Sequence, residues 1–321
     1  MSRPRLRAFA LLAVLMTLLG SGAPAFAQQG TPTTDGGTAF ADLGLPEIAV
    51  TMTDTAFEGV PSELTAGRYV LTVTNALTTL GVGESAGANF MQLPEELTAE
   101  AFIAEVGPVA ATPEGTDAAA SPMAEEEMTA PPPWYYETTM AGGPYAEAGD
   151  TRSAVIDLTA GEWVLWAESP GAPQAPVPVT VTGEAPADQP AVSGDLRIEM
   201  SEYTFTFPTP LTAGSYIVEL ANVGEQPHFL GMGRVPDGTT LDDIMAMFAS
   251  FEEPMATPAA DGLSFEDIDL VLDTADQSAG VTAWYTAELE PGTYLAVCFV
   301  PDVESGTPHA MLGMTQLVEV E

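Results

Sequence analysis

Two stretches of the chain spell one design. Residues 48–75 (IAVTMTDTAFEGVPSELTAGRYVLTVTN) and 195–222 (DLRIEMSEYTFTFPTPLTAGSYIVELAN) share Leu-Thr-Ala-Gly at 64–67 and 211–214, Tyr69 with Tyr216, and Asn75 with Asn222, all in a single register. A duplicated segment of that length restricts the chain to two copies of one fold and calls for reading each copy against the other. In both, apolar residues alternate (Tyr69, Leu71, Val73 and Tyr216, Val218, Leu220), the period of a half-buried strand, and Ala-Gly supplies the turn before it. Further on, Ala99, Phe102, Ile103 and Val106, and then Leu241, Ile244, Met245 and Phe248, follow helical spacing behind Thr98 and Thr240 as N-caps. Each copy closes on a Gly turn and an apolar strand, Leu158 to Leu165 and Leu289 to Ala296. The expected fold is therefore all-β: two tandem Greek-key β-sandwiches, each with one short inserted helix.

Composition divides the chain. Residues 108–133, rich in Ala, Pro, Thr and Glu, and the shorter stretch 252–262 are too poor in large apolar residues to pack, so they read as mobile insertions. Residues 183–194 have the same character and fall between the copies as a linker. The expected organisation is a first domain at 45–182, the linker, and a second domain at 195–321. Ahead of them, Arg3, Arg5 and Arg7, an apolar run from Phe9 to Leu19 and Ala25-Phe26-Ala27 form the pattern of a secretory leader cleaved after residue 27. The run is too short to cross a bilayer, which takes about 20 residues. The expected location is periplasmic, extracytoplasmic or secreted, without direct membrane insertion.

The formal net charge is −39, and beyond the leader only Arg68, Arg152, Arg197 and Arg234 face 46 acidic residues. Such a surface repels nucleic acid and anionic lipid; it reads either as adaptation to a saline or acidic habitat or as steering toward a basic partner in a salt-dependent way. One Cys excludes an internal disulfide and leaves a thiol in need of a role, for which a metal is one candidate.

That Cys and the chain's two His all lie in the second copy, as His228, Cys298 and His309, followed by Met314. Two imidazoles, one thiolate and a weak axial thioether are the donors of a mononuclear copper centre, the soft sulfurs suiting Cu(I) and the imidazoles Cu(II). On a strand, Tyr294, Ala296 and Cys298 share one face, so the thiol emerges at the end of a buried strand. Met232 and Met311 read as packing residues.

Three stretches carry a resemblance to the cupredoxin family, specifically its plastocyanin-like branch, over about residues 195–321. Asn222-Val223-Gly224-Glu225-Gln226-Pro227-His228 resembles the family's Asn-x-Gly-x-x-Pro-His, Pro291-Gly292-Thr293-Tyr294 leads to Cys298 as its thiolate strand does, and Pro308-His309-Ala310-Met311-Leu312-Gly313-Met314 resembles Pro-His-x-x-x-Gly-Met. The resemblance implies one copper ion held by His228, Cys298, His309 and Met314 and cycling between Cu(II) and Cu(I). It implies one-electron carriage for a redox partner rather than an enzyme, with copper storage or delivery, or a metal-free interaction module, as alternatives. The chain departs from the family in the segment FVPDVESGTP, Phe299 to Pro308, between Cys298 and the second His, where the family has only a few residues; its Pro-Asp and Ser-Gly turn signals suit an excursion that returns His309 to the same place. The first copy has no His or Cys and sets Ala167 against Cys298, so it reads as a metal-free structural or partner-binding copy. Gly83-Glu84-Ser85-Ala86-Gly87 matches the nucleophile elbow of esterases, but that motif needs a strand, a sharp turn and a helix. Here the repeat puts Ser85 in a sandwich loop, and the match is set aside.

Overall fold

The computed structural model describes residues 39–80, 85–106, 131, 133–167, 175–252 and 262–321. The leader, nearly all of the 108–133 insertion and most of the 252–262 stretch lie outside the described residues.

The first unit runs β1 (Glu47–Met52), β2 (Phe57–Glu58), β3 (Glu63–Thr65), β4 (Gly67–Asn75), β5 (Ser85–Gln92), α1 (Ala99–Val106), α2 (Pro133–Glu137), β6 (Thr139–Met140), β7 (Tyr145–Glu147), β8 (Thr151–Leu158), β9 (Gly161–Ala167) and β10 (Val177–Thr182). The second runs β11 (Leu196–Ser201), β12 (Thr204–Thr206), β13 (Gly214–Asn222), β14 (Gly231–Arg234), α3 (Leu241–Glu252), β15 (Asp269–Asp273), β16 (Thr282–Leu289), β17 (Gly292–Val297) and β18 (Thr315–Val320). The pairings recur: β1 lies parallel to β4 as β11 does to β13, and β4 antiparallel to β8 as β13 does to β16. One half of each sandwich is β2-β1-β4-β8 or β12-β11-β13-β16; the other is β3-β10-β9-β5-β6 or β15-β14-β17-β18. The fold is all-β, in two sandwiches built on the same pairings, as the sequence leads one to expect.

Alternation sets the cores. Leu71 and Val73 in β4, and Val218 and Leu220 in β13, are fully buried on one face. Thr98 Oγ1 accepts from the Ala101 N–H and Thr240 Oγ1 from the Asp243 N–H, capping the two inserted helices where the sequence places the caps. The first unit carries one helix more than expected, α2, which begins at a proline whose fixed φ suits the first helical turn.

The two units share a sheet. β8 and β16, counterparts by pairing, meet edge to edge at Val155↔Trp284, making one eight-stranded sheet. A small core of Phe40, Val70, Val155, Val192 and Trp284 closes the seam, with the Arg68 guanidinium 4.4 Å from the Trp284 ring centroid and forked onto Asp157 at 2.8 and 2.7 Å. Each buried apolar side chain of this size contributes roughly 1.5–3 kcal/mol. Val192 belongs to the segment expected as a linker, which is thus tied into the seam. A second contact layer lies beside the sheet, where residues 141–144 pair antiparallel with 274–277 through Ala141↔Gln277 and Pro144↔Thr274.

Candidate metal centre

Three parts of the second unit converge at one end of its sandwich. The first is the turn after β13. Asn222 Oδ1 accepts from the Gly224 N–H at 2.9 Å, and its Nδ2 donates to the Gln226 and Gln277 carbonyls, both at 2.8 Å. One fully buried amide therefore shapes the turn and ties it to residue 277. His228 follows, its N–H donating to Gln277 O at 3.0 Å and its carbonyl accepting from the Gln277 N–H at 2.8 Å.

The second part is β17. Tyr294, Ala296 and Cys298 point into the main core while Leu295 and Val297 join a separate cluster with α3, so the alternation read from the sequence puts the Cys298 thiol inside. The third is the loop after it, and the structure gives its length a purpose. Asp302 accepts from the backbones of Glu304 and Ser305 and from Ser305 Oγ, while its N–H donates to Thr307 O at 2.9 Å. Pro301 pairs with Pro308, and the His309 N–H reaches Val300 O at 2.8 Å. The excursion is a closed hairpin that brings His309 back beside Cys298.

The donor atoms meet. Cys298 Sγ lies 3.9 Å from His228 Nδ1 and 3.8 Å from His309 Nδ1, and the two Nδ1 atoms are 3.0 Å apart. All three residues have no exposed surface. A first-row ion keeps about 2.0–2.1 Å to imidazole nitrogen and about 2.3 Å to thiolate, so separations of this size leave room for one ion among the three atoms. Among the described residues this is the one group of three or more His, Cys, Asp and Glu close enough to hold a metal. Met314, also fully buried, is tied to both partners through the backbone: its N–H donates to His309 O at 2.9 Å and its carbonyl accepts from the Cys298 N–H at 3.2 Å. Gly313, at φ +119°, lets the chain double back between His309 and Met314.

Electrostatics keeps the protein donors neutral. Burial pushes the Cys298 thiol up to about 12, against opposing hydrogen bonds from the backbones of Phe229 and Val300. Burial, then the charge of His228, pushes His309 down to about 4, and burial lowers His228 although Glu202 opposes it. A cation bound here would displace the thiol proton and supply the positive charge that the buried sulfur lacks.

Around the donors stands a polar shell that the sequence did not single out. Gln226 Oε1 lies 3.4 Å from His309 Nε2, while its Nε2 donates to Asp302 Oδ2 at 3.1 Å. Glu202 Oε1 approaches His228 Nε2 to 3.5 Å, beyond ordinary hydrogen-bond length, and accepts from the Glu225 and Gln226 N–H groups. Tyr203, held at φ +62°, sets its ring edge-on to His309 with centroids 5.2 Å apart and donates to Asp302 Oδ2 at 2.7 Å. Burial works against a charge on Asp302, but hydrogen bonds from Ser305, Tyr203 and Gln226 outweigh it and hold the carboxyl well below the usual range. Gln226 stood in the quoted motif and Asp302 in a turn signal; neither signal said what the side chain would touch.

In the first unit the same positions are filled differently. The pairing Ala86↔Ala146 occupies the place of His228↔Gln277, because Asn75 Nδ2 donates to Ala146 O as Asn222 Nδ2 does to Gln277 O. Asn89 pairs with Trp166 in β9 as Gly231 pairs with Val297 in β17, so the next residue of each closing segment is Ala167 in the first unit and Cys298 in the second. Ser85 opens β5 rather than a loop as expected, and its hydroxyl donates to Asp273 Oδ2 at 2.9 Å. Both histidines are engaged in the other cluster, so no imidazole serves Ser85.

No family model matches the sequence, and no curated protein does. Among solved structures, an auracyanin from the photosynthetic bacterium Roseiflexus castenholzii is similar at 21% identity, covering 39% of this chain and 94% of its own, with a TM-score of 0.27. A multicopper oxidase is similar at 12% identity over 86% of this chain and 88% of its own, with a TM-score of 0.22. A copper nitrite reductase from Nitrosomonas europaea is similar at 10% identity over 86% and 93%, also at 0.22. The expectation that the chain is not an enzyme does not stand: two of these three proteins, each matched over most of this chain, are enzymes by name. No helix among the described residues is long and apolar enough to cross a membrane.

Proposed function

We propose that the chain binds one copper ion through His228, Cys298 and His309, with Met314 as a weaker fourth donor, and passes electrons through it one at a time. What carries the reading is the convergence of the chain's two histidines and one cysteine into a fully buried trio with mutual separations of 3.0–3.9 Å. Copper in such a donor set supplies a Cu(II)/Cu(I) couple, soft sulfur suiting the reduced ion and imidazole the oxidised one. The residues do the rest. Strand β17 and the paired backbones of His228 and Gln277 hold two donors on rigid elements, and the Asp302 hairpin fixes the third, so little rearrangement is left for a change of oxidation state. Gln226 at His309 Nε2 orients that ring from behind, and the Glu202 carboxylate lies near His228 Nε2 without a hydrogen bond to it. Burial of all three donors favours electron carriage over storage or delivery, since an ion to be handed on needs an open ligand face.

Val223, Val303 and Leu312 are exposed at 54%, 45% and 38%, on the three loops that carry or flank the donors, and Glu225 and Glu304 are exposed beside them. Apolar side chains within an acidic surface suit a basic redox partner that is steered by charge and seated by contact. The deciding experiment is a copper titration of the full chain followed by visible absorption and electron paramagnetic resonance. One equivalent of Cu(II) should produce an intense sulfur-to-copper band; a chain that takes up copper without that band, or takes up none, removes the reading.

A further inference from the structure

The first unit lacks the donors, yet its shortest helix reaches both donor-carrying segments of the second. On α2, the Tyr136 hydroxyl donates to Pro301 O at 2.9 Å, inside the hairpin between Cys298 and His309. The preceding Tyr135 donates to Asp276 Oδ2, one residue before Gln277, whose backbone pairs with His228. The ribbon around Asp276 is held at further points by the same unit. Asn89 Nδ2 donates to Asp276 O at 2.9 Å, Ser278 Oγ donates to Thr138 O at 3.0 Å and accepts from the Met140 N–H at 2.9 Å, and Ala141 bridges to Gln277. The Tyr135 and Tyr136 rings stand edge to face, 5.1 Å between centroids, and brace each other. Burial first, then the charges of Asp302 and Asp276, raise the Tyr136 hydroxyl far above its usual range and keep it a donor.

We infer that α2 of the first unit is a positioning clamp for the metal cluster of the second, Tyr136 fixing the hairpin that returns His309 and Tyr135 fixing the ribbon that backs His228. The two hydroxyls are anchored on one rigid turn, so they set the two histidine-bearing segments relative to each other as well as to the first unit. Neither tyrosine touches the donors; both act through the backbone that bears them. The clamp's copper readout rests on the proposed metal reading, but its local stiffness does not.

The test uses the full chain with Tyr135→Phe, Tyr136→Phe and the double substitution. In metal-free protein, Tyr136→Phe should speed amide exchange at Asp302 and His309, and Tyr135→Phe at His228 and Gln277, by about tenfold, the weight of one buried hydrogen bond, while β4 keeps its wild-type protection. With Cu(II), the variants should still take up one equivalent, with a shifted charge-transfer band and a moved reduction potential. Unchanged exchange at those four amides overturns the clamp. So does an equal acceleration of every slow amide, which would mark a purely global role, and so does a double variant with the wild-type band and potential. A wild-type chain that shows no band, while local exchange responds as stated, removes the copper reading and leaves the clamp standing. The single substitutions decide if the double variant fails to fold.

Discussion

The two units build the same turn and put it to different ends. Asn75 and Asn222 both accept from the N–H two residues on, at 3.0 and 2.9 Å, and both donate to a carbonyl on the neighbouring ribbon. At the positions those turns lead to, the first unit has Ala86 and the second His228; Ala167, the last residue of β9, corresponds to Cys298, the residue just after β17. The scaffold therefore folds whether or not it carries donors, and the asparagine belongs to the fold rather than to the ligand set. On the proposed reading, metal chemistry would be a matter of two or three side chains placed on a frame that does not need them.

The strongest way to break that contrast is to make the second unit resemble the first. Cys298→Ala should abolish the charge-transfer band and weaken copper binding by more than about 100-fold, since even residues behind the ligands are worth about 10–100-fold. The circular dichroism of the folded chain should persist. Colour that survives the substitution would remove Cys298 from the site.

His309→Ala and Met314→Leu sharpen the contrast by separating strong from weak donors. Losing His309 opens an equatorial position to water and should turn the resonance spectrum toward an ordinary tetragonal copper. Losing the Met314 thioether should leave copper bound and raise the reduction potential, because Cu(II) loses more stabilisation than Cu(I). An unmoved potential and spectrum in Met314→Leu would place the axial role elsewhere.

A third comparison concerns the seam rather than the site. Burial pushes the Asp273 carboxyl up to about 7 and, at the Tyr135 contact, the Asp276 carboxyl up to about 6. Both folded values lie above the unfolded one, so this contribution to stability is fully present below about pH 4 and is lost as pH rises through about 6 to 7. Asp273→Asn should remove part of the slope, on the order of 1–3 kcal/mol between pH 5 and pH 8, leaving the part due to Asp276. Denaturant unfolding at the two pH values measures it, and an unchanged slope would place the titration outside the seam. The smallest effect belongs to Ser85→Ala, which removes one hydrogen bond to Asp273 and should cost about 0.5–1.5 kcal/mol without altering any ester hydrolysis. Hydrolysis lost with that side chain would reinstate the nucleophile reading of Gly83 to Gly87.

What could be read from the chain was whatever has a local period or repeats itself. The alternation along β4 and β13, the two capped helices and the burial of Cys298 on the inward face of β17 follow from spacing alone. The return of His309 across a long loop was legible as turn signals, but the agent, Asp302, was not, because an Asp in a turn looks the same whether or not it accepts five bonds. The match between Ala86 and His228 was hidden for another reason. The segments after Asn75 and Asn222 differ in length, so only the pairing with the neighbouring ribbon aligns them. α2 lay beside a Pro-rich stretch whose composition masks one helical turn, and the contacts of Tyr135 and Tyr136 join residues 141 and 165 positions apart, beyond any local signal.

The shared eight-stranded sheet has a consequence for how the chain stays unaggregated. Strands β8 and β16 would each end a four-stranded sheet with a row of unpaired backbone groups, an open invitation to strangers. By crossing at Val155 and Trp284 they cover part of that opening on each other, and the strands that end the joined sheet are β2 and β12, of two and three residues. Terminal strands so short offer little template of their own, and the acidic surface repels identical copies. Duplication thus gave each copy a partner at its edge, a service that the first copy renders whatever the second one binds.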